Sequence, residues 1–278
     1  MKEMQKRKAT IIGGKGFIGR HLAVKLRTTG WDCRLPGREE IFKGQEDMGN
    51  VFYCAGLTAD YILRPYDTVE AHVSLLSRIL RADRYESLVY LSSTRLYDSQ
   101  PGIVGTEEIP LSLNPTIPRH LYDLSKALGE SLCSATGNGR ARVARLSCVY
   151  NDHTDDEGFL PGLLRRIIED RPSFLEIDSS PAFARDYIHL QDVLDALIMI
   201  ADRGQGFIYN VASGENIRNE TLFAALATAS GCKIIPLLHE NPPPPARISI
   251  QKIQDEFGWS PVSVLNKITS IIEENLQC

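Results

Sequence analysis

Apolar residues in the first 150 positions fall alternately into short continuous runs and helically spaced sets. Ala9-Thr10-Ile11-Ile12 is a β-prone run ending in glycines, and Phe17, Ile18, Leu22 and Leu26 then recur at helical spacing up to Gly30. Trp31 to Leu35 reads as a second short strand, and Asn50 to Gly56 as an apolar strand ending in small residues. Val69 to Arg84 predicts a helix with Val73, Leu76, Ile79 and Leu80 on one face. Ser87 to Leu91 reads as a buried strand, Leu121 to Ala135 as a helix and Ala141 to Leu146 as a further strand. This alternation predicts an α/β fold, a doubly wound parallel sheet with helices on both faces. Ligands in such folds sit at the carboxyl ends of the strands, so those ends are where chemistry is expected.

After residue 150 the rhythm changes. Asp152 to Glu157 is a polar loop, Leu160 to Glu169 is helical, and Asp186 to Asp202 starts strand-like and continues as an apolar helix. Asn219 to Gly231 predicts another helix, and Pro242 to Pro245 an extended polyproline-type loop. The expected organisation is a dinucleotide-binding domain over 1–150, with 183–203 packing back onto it. A smaller mixed α/β substrate lobe is expected from 151–182 and 204–278.

The 278 residues suit one large domain or two coupled ones, and 43% hydrophobic with 24% charged residues is globular composition, excluding a disordered or fibrous chain. A net charge of −4 disfavours a basic surface for nucleic acid or an anionic membrane. No window of 18 apolar residues occurs, so no spanning helix is expected. The six cysteines form no CxxC pair and no zinc-type cluster with histidine, which predicts no metal site and fits a reduced, cytoplasmic setting.

Gly14-Lys15-Gly16-Phe17-Ile18-Gly19 matches GxGxxG, and Gly13 completes GxxGxxG. A strand before it and an amphipathic helix after it make this a Rossmann-like dinucleotide loop. The first glycine allows the tight turn, the middle one lets a pyrophosphate approach the backbone, and the last lets the helix pack on the strand. No GxxxxGK[ST] is present, which excludes a P-loop. At the end of the second strand, Gly37 stands where an acid would bind a ribose 2′-hydroxyl, and Arg38 follows. Arg38 favours NADP(H); Glu39 and Glu40 keep NAD(H) open. Ala55 and Gly56, ending the strand from Asn50, are taken as further cofactor contacts.

Tyr122 and Lys126 lie one helical turn apart on one face. A nearby ammonium is expected to lower the tyrosine pKa toward working pH and so suit it to proton transfer. Alone the spacing means little, since about 0.4 such matches arise by chance in a chain of this composition. Ser92, Ser93 and Thr94 follow the strand from Ser87, where a hydroxyl can bond the same substrate oxygen.

With these residues in place the chain resembles the extended short-chain dehydrogenases/reductases of the nucleotide-sugar epimerase, dehydratase and ketoreductase type. The resemblance is carried by IIGGKGFIGRHL (11–22), LVYLSSTRLYDS (88–99), YDLSKALGE (122–130), VARLSCVYN (143–151), RDYIHLQDVLDAL (185–197), YNVASGE (209–215) and KIQDEFGWSP (252–261). It implies Ser93 as hydroxyl donor, Tyr122 as acid/base, and Lys126 as its partner and a ligand of the nicotinamide ribose. It also implies Arg185 for a sugar-nucleotide diphosphate, with Arg247, Thr94 and Cys148 as further substrate contacts. Cys148 and Asn151 depart from the family pattern, as does His72, where many relatives have Asn. Only 12 residues separate Arg38 from Val51, so the customary third strand is shortened or missing.

The reading is a nicotinamide-dependent enzyme on a nucleotide-activated sugar. Reduction of a 4-keto sugar is favoured over 4-epimerisation with retained NAD. Dehydration ranks lowest, because Thr94 and Arg95 stand where an acid pair is expected. A non-catalytic NAD(P)-sensing regulator is the competing class, disfavoured by the intact Ser93, Tyr122 and Lys126. The resemblance also implies a homodimer through helices at 67–84 and 117–136, using surplus apolar residues such as Leu75, Leu76, Ile79 and Leu80, and Leu121, Leu124, Leu128 and Leu132.

Overall fold

The computed structural model describes residues 6–41, 47–155 and 158–276. The last two residues of the loop expected at 152–157, and Cys278, lie outside them. The chain forms two compact units, one from 1–99, 110–146 and 194–209 and the other from 100–109, 147–193 and 210–278.

The first unit is built as the apolar alternation predicts. Strand β1 (Lys8–Ile12) leads through the glycine turn into α1 (Phe17–Thr28), then β2 (Asp32–Arg34) and β3 (Asn50–Tyr53). No strand intervenes between β2 and β3 among the described residues. Helix α2 (Pro65–Val69) continues through a wide π-type turn, Glu70–Ser74, into α3 (Leu75–Ala82). Pro65 starts this helix four residues earlier than the pattern at 69–84 predicts, because its fixed φ suits a first helical turn. Asp83, at φ 52, ends it.

Strand β4 (Ser87–Ser93) is buried along its whole length and runs into a 3₁₀ turn, Thr94–Tyr97. Helix α4 (His120–Thr136) and the strand Ala141–Leu146 follow. The sheet order is Ile208–Val211, Ala141–Leu146, β4, β3, β1, β2. β1 pairs in parallel with β2 and β3, β3 with β4, and β4 with Ala141–Leu146. The strands meet the helices through Ile12, Val51, Tyr53, Leu76, Ile79, Leu88, Tyr90 and Val143.

Leu75, Leu76, Ile79 and Leu80 are at most 6% exposed in this unit. The surplus face expected on that helix is therefore core, which corrects the sequence reading. On α4, Leu128 is 50% exposed and Leu121 and Leu124 are half-buried, so an apolar stripe remains there.

Two features clamp α4 to the sheet. A Cβ at Gly129 would run into the Tyr90 hydroxyl, so the helix rides directly on that ring. At the next residue, the buried carboxylate of Glu130 accepts from Arg145 Nε at 2.9 Å and Nη2 at 2.6 Å, and from Ser92 Oγ at 2.6 Å. Arg145 Nη1 donates to the Tyr97 hydroxyl at 2.6 Å. The group thus joins α4, β4, the next strand and the 3₁₀ turn with its hydrogen bonds made.

In the second unit, Ala184–His189 is the middle strand of three, antiparallel to Asn216–Arg218 and parallel to Cys148–Tyr150. Two short parallel pairs, Phe174–Ile177 with Lys233–Pro236 and Val104–Gly105 with Arg247–Ile248, complete its sheets. Its core is aliphatic, with Leu160, Leu164, Ile167, Leu222, Leu226 and Ile268 among the buried residues.

Breaking a buried ion pair on one side strands a charge, so Glu130→Gln is expected to cost about 3–5 kcal/mol of stability in denaturant titration. The double variant Glu130→Leu/Arg145→Met should recover most of it, since both charges then leave together. A loss below about 1 kcal/mol in Glu130→Gln would show a pair that behaves as if solvent-exposed.

Candidate active site

The glycine loop closes as a tight turn. Gly13 has φ +81, Gly16 N–H donates to its carbonyl at 2.9 Å, and a Cβ on Gly13 would meet Ala55 N at 2.6 Å. A Cβ at Gly19 would strike the Gly13 carbonyl, so helix α1 sits directly against the turn. Gly16 caps α1 with no side-chain hydrogen bond, leaving its first N–H groups for a ligand. Phe17 and Ile18 open the helix half-buried, with His21 edge-on to Phe17 at 5.7 Å. This cradle, with its uncapped helix end, suits the pyrophosphate of a dinucleotide. Arg38 is exposed and lines a hollow of about 50 Å³ with Ala55, Glu70, Ala71, Leu75 and Arg78. Gly56 follows Ala55, and a Cβ there would lie 3.3 Å from Lys126 Nζ and 3.2 Å from His72 Nε2.

Ser93, Tyr122 and Lys126 converge at the carboxyl end of β4. Ser93 ends the strand in extended conformation and caps the 3₁₀ turn, its Oγ accepting from Arg95 N–H at 3.2 Å. Its hydroxyl also acts on the Tyr122 side chain, favouring ionisation of the phenol. Thr94 turns its hydroxyl to the Leu146 carbonyl at 3.4 Å.

Tyr122 is 2% exposed and its pKa is raised rather than lowered. Burial is the largest cause, opposed by the Ser93 hydroxyl and the Arg95 charge and reinforced by Asp123 and Asp98. The sequence reading had a nearby ammonium lowering this value. Lys126 is instead itself fully buried, donates to the Leu91 carbonyl at 2.8 Å, and is pushed down to about 7, mainly by burial. A half-neutralised amine offers only part of the charge that the spacing promises.

His72 is part of this site's wall. Its Nε2 accepts from Leu57 N–H at 3.2 Å, which places the proton on Nδ1, 2.8 Å from Ser125 Oγ. Ser125 Oγ in turn donates a hydrogen bond to the Tyr122 carbonyl at 2.8 Å. Burial first, then the Lys126 charge, hold the imidazole pKa down to about 2, so His72 is neutral at any working pH. The π turn that carries it leaves carbonyls open, and tyrosines fill them: Tyr53 donates to Ala71 O at 2.5 Å and Tyr90 to His72 O at 3.2 Å.

Sequence reasoning gave Arg95 no role beyond a missing acid, and Tyr61 none at all. The Arg95 guanidinium lies 4.6 Å over the Tyr122 ring and 5.2 Å over Tyr61, whose own ring is 5.4 Å from Tyr122. The signal for Arg95 was its place two residues after Ser93; for Tyr61 and Arg78 no signal existed in the spacing.

In the second unit, Arg185 reaches Cys148 Sγ at 3.9 Å and lies 5.0 Å over Phe183. Burial pushes the Cys148 thiol up, with Arg185 opposing. Beside them, the Asp186 carboxylate accepts from the Ser213 and Gly214 N–H groups, both at 2.8 Å, tying the central strand to the loop after Val211. Arg247 is exposed in its two-residue strand.

The sequence model described as NAD dependent epimerase/dehydratase family matches residues 9–212. The chain is 21% identical to UDP-glucuronic acid decarboxylase 1 of Danio rerio, over 96% of this chain and 72% of that protein. It is 24% identical to GDP-L-fucose synthase 1 of Arabidopsis thaliana, over 76% of this chain and 74% of that protein. The structure of RMD from Pseudomonas aeruginosa complexed with NADPH superposes with a TM-score of 0.75 at 23% identity, over 96% of this chain and 98% of that one. No described helix is long and apolar enough to cross a membrane.

Burying Lys126 has a measurable cost. Its pKa falls from the ordinary 10.5 to about 7 on folding, so below pH 7 the fold encloses a charge. Between 7 and 10.5 the unfolded chain holds a proton that the folded chain has lost, and stability rises with pH through that window. Lys126→Met is therefore expected to melt above the wild-type protein at pH 6, with the gap closing as pH rises toward 10. A variant that melts lower at every pH would show that the amine stabilises the fold.

Proposed function

The chain belongs to the NAD dependent epimerase/dehydratase family, and we propose that it reduces a 4-keto nucleotide sugar with Tyr122 as the proton donor. The observation that carries this reading is the convergence of Ser93, Tyr122 and the buried Lys126 at the end of β4, with Lys126 Nζ 5.9 Å from the Tyr122 ring centroid. A nicotinamide cofactor supplies the hydride when bound. Ser93, fixed by the strand end and the 3₁₀ turn, orients the sugar carbonyl, and Thr94 adds a neighbouring hydroxyl. Tyr122 gives its proton to the developing alkoxide, a transfer for which a tyrosine kept protonated by burial is suited. Lys126 holds the nicotinamide ribose. Dehydration needs an acid beside the hydroxyl donor, and Thr94 and Arg95 supply none.

For the cofactor, NADP(H) is favoured. Arg38 and Arg78 line one hollow with Ala55 and place two cations where a 2′-phosphate is expected, although Glu70 shares it. In the second unit, Arg185 and Arg247 are proposed for the nucleotide diphosphate, with Cys148 beside Arg185. The half-exposed Leu121, Leu124 and Leu128 stripe suits an isologous homodimer. The five described cysteines are all free, which suits a reducing cytoplasm.

The test is NADPH-linked reduction across a panel of 4-keto sugar nucleotides. Tyr122→Phe should lower kcat by roughly 10²–10⁴ with cofactor affinity held, and Ser93→Ala should cost less. Near wild-type turnover in Tyr122→Phe would remove Tyr122 from the chemistry. Isomerised sugar without net NADPH loss would make the protein an epimerase. Arg38→Ala should weaken NADP(H) while leaving NAD(H) nearly unchanged, since only the 2′-phosphate contact is lost; equal weakening of both would refute the NADP(H) preference.

A further inference from the structure

Lys126 occupies the helix position from which a cation is expected to stabilise the Tyr122 phenolate, yet its ammonium is committed elsewhere. Nζ donates to the Leu91 carbonyl at 2.8 Å and stands 5.9 Å from the centroid of the Tyr122 ring. Arg95 is nearer, 4.6 Å over the same ring. A second aromatic holds it there: its guanidinium lies 5.2 Å over Tyr61, and Nη2 donates to the Tyr61 hydroxyl at 3.3 Å. Among the described residues Arg95 makes no ion pair with a carboxylate. Its charge acts on the two rings and also on the nearby Asp123 carboxylate, whose pKa it helps to lower.

We propose that Arg95 is the positioning residue that sets the acidity of Tyr122, its fixed charge on the ring face replacing the part that Lys126 cannot play. A guanidinium stays protonated at every working pH, whereas a buried amine does not. It is attracted by the negative face of a phenol and more strongly by the full charge of a phenolate, so it favours ionisation.

The other groups facing Tyr122 do not duplicate this role. On its own helix, Asp123 is a carboxylate that opposes ionisation, and the 3₁₀ turn is followed by a second, Asp98. Arg119 Nη1 lies 3.6 Å from each of those carboxylates and is shared between them. The π turn presents His72, edge-on to the ring at 5.3 Å and neutral. The strand end presents only the Ser93 hydroxyl. Arg95 is thus the permanent positive charge against the ring. It accounts for a tyrosine that is buried beside two carboxylates and still required to exchange a proton.

The inference rests on the reading of Tyr122 as proton donor, but its test needs no sugar substrate. Full-length protein saturated with NADP⁺ is titrated with alkali, and tyrosinate absorbance is recorded for the wild type minus Tyr122→Phe, which isolates Tyr122. The same difference is taken in Arg95→Met, which keeps the packing and removes the charge, and in Arg95→Lys, which keeps the charge. The Tyr122 midpoint should rise by about one pH unit or more in Arg95→Met and stay near wild type in Arg95→Lys. If Arg95→Met does not fold, Arg95→Gln serves in its place. A midpoint unmoved in the neutral variant, or moved as far in Arg95→Lys, overturns the proposal and leaves Arg95 as ring packing. The expected shift together with full turnover in Tyr122→Phe would sustain the inference while removing Tyr122 as donor, so the two failures are distinguishable.

Discussion

Helix α4 reaches the sheet as closely as it does because residue 129 has no side chain. Any Cβ there would occupy the space of the Tyr90 hydroxyl. That hydroxyl is in turn committed, since it donates to the His72 carbonyl that the π turn leaves open. The glycine, the tyrosine and the π turn form one constraint, and it brings Tyr122, Lys126 and His72 to the end of β4. Close packing by itself leaves a helix free to slide, and one residue further along Glu130 removes that freedom. Its carboxylate is held by Arg145 and Ser92, with bonds directional enough to fix the helix along and about its axis.

Burial imposes the site's electrostatics. Removing water penalises whichever form of a group is charged, so it raises the tyrosine and lowers the lysine together. The Tyr and Lys of this helix therefore do not act simply as an acid beside a full positive charge. Tyr122 stays protonated, which suits a proton donor, and Lys126 sits near neutrality behind it. An arginine over the same ring escapes this logic because its charge survives partial burial. The neutral His72 contributes shape and a hydrogen-bond chain through Ser125 to the backbone of Tyr122 rather than charge.

Much of this was legible in the sequence, for reasons that can be stated. Periodicity located β1, α1, β4, α4 and the strand at 141–146 because each buries one face or its whole length, and burial is what an apolar pattern encodes. The glycine loop was legible because steric exclusion is local: Gly13 and Gly19 are required by backbone atoms within their own turn or at the next strand end. The π turn at 70–74 was not legible, since it depends on two tyrosine hydroxyls from distant strands accepting the task of its carbonyls. Nor was the burial of Leu75 and Leu80 on what read as a surplus face: two-sided apolarity looks the same whether the second side meets a partner or the same chain's core. The pKa directions were out of reach for the same reason, because spacing gives the distance along one helix and says nothing of what else surrounds it.

The same reasoning explains why the reaction is harder to read than the fold. In the roles proposed for them, Ser93, Tyr122 and Lys126 would serve any transfer of a hydride and a proton at a sugar carbon, so they do not divide the family's reactions. What divides it must be a residue that changes the charge or shape beside those three while leaving their geometry intact. Arg95 has that property. It takes the place two residues after Ser93, lies over the Tyr122 ring, and has its guanidinium held by the Tyr61 hydroxyl. A carboxylate in its place would be repelled by a developing phenolate and would hold the tyrosine protonated still more firmly. A guanidinium instead eases the proton's departure toward an alkoxide and leaves no side chain there to take up a second proton. The proposed delivery of one hydride and one proton asks for no further acid or base at that point, so an arginine there is compatible with it.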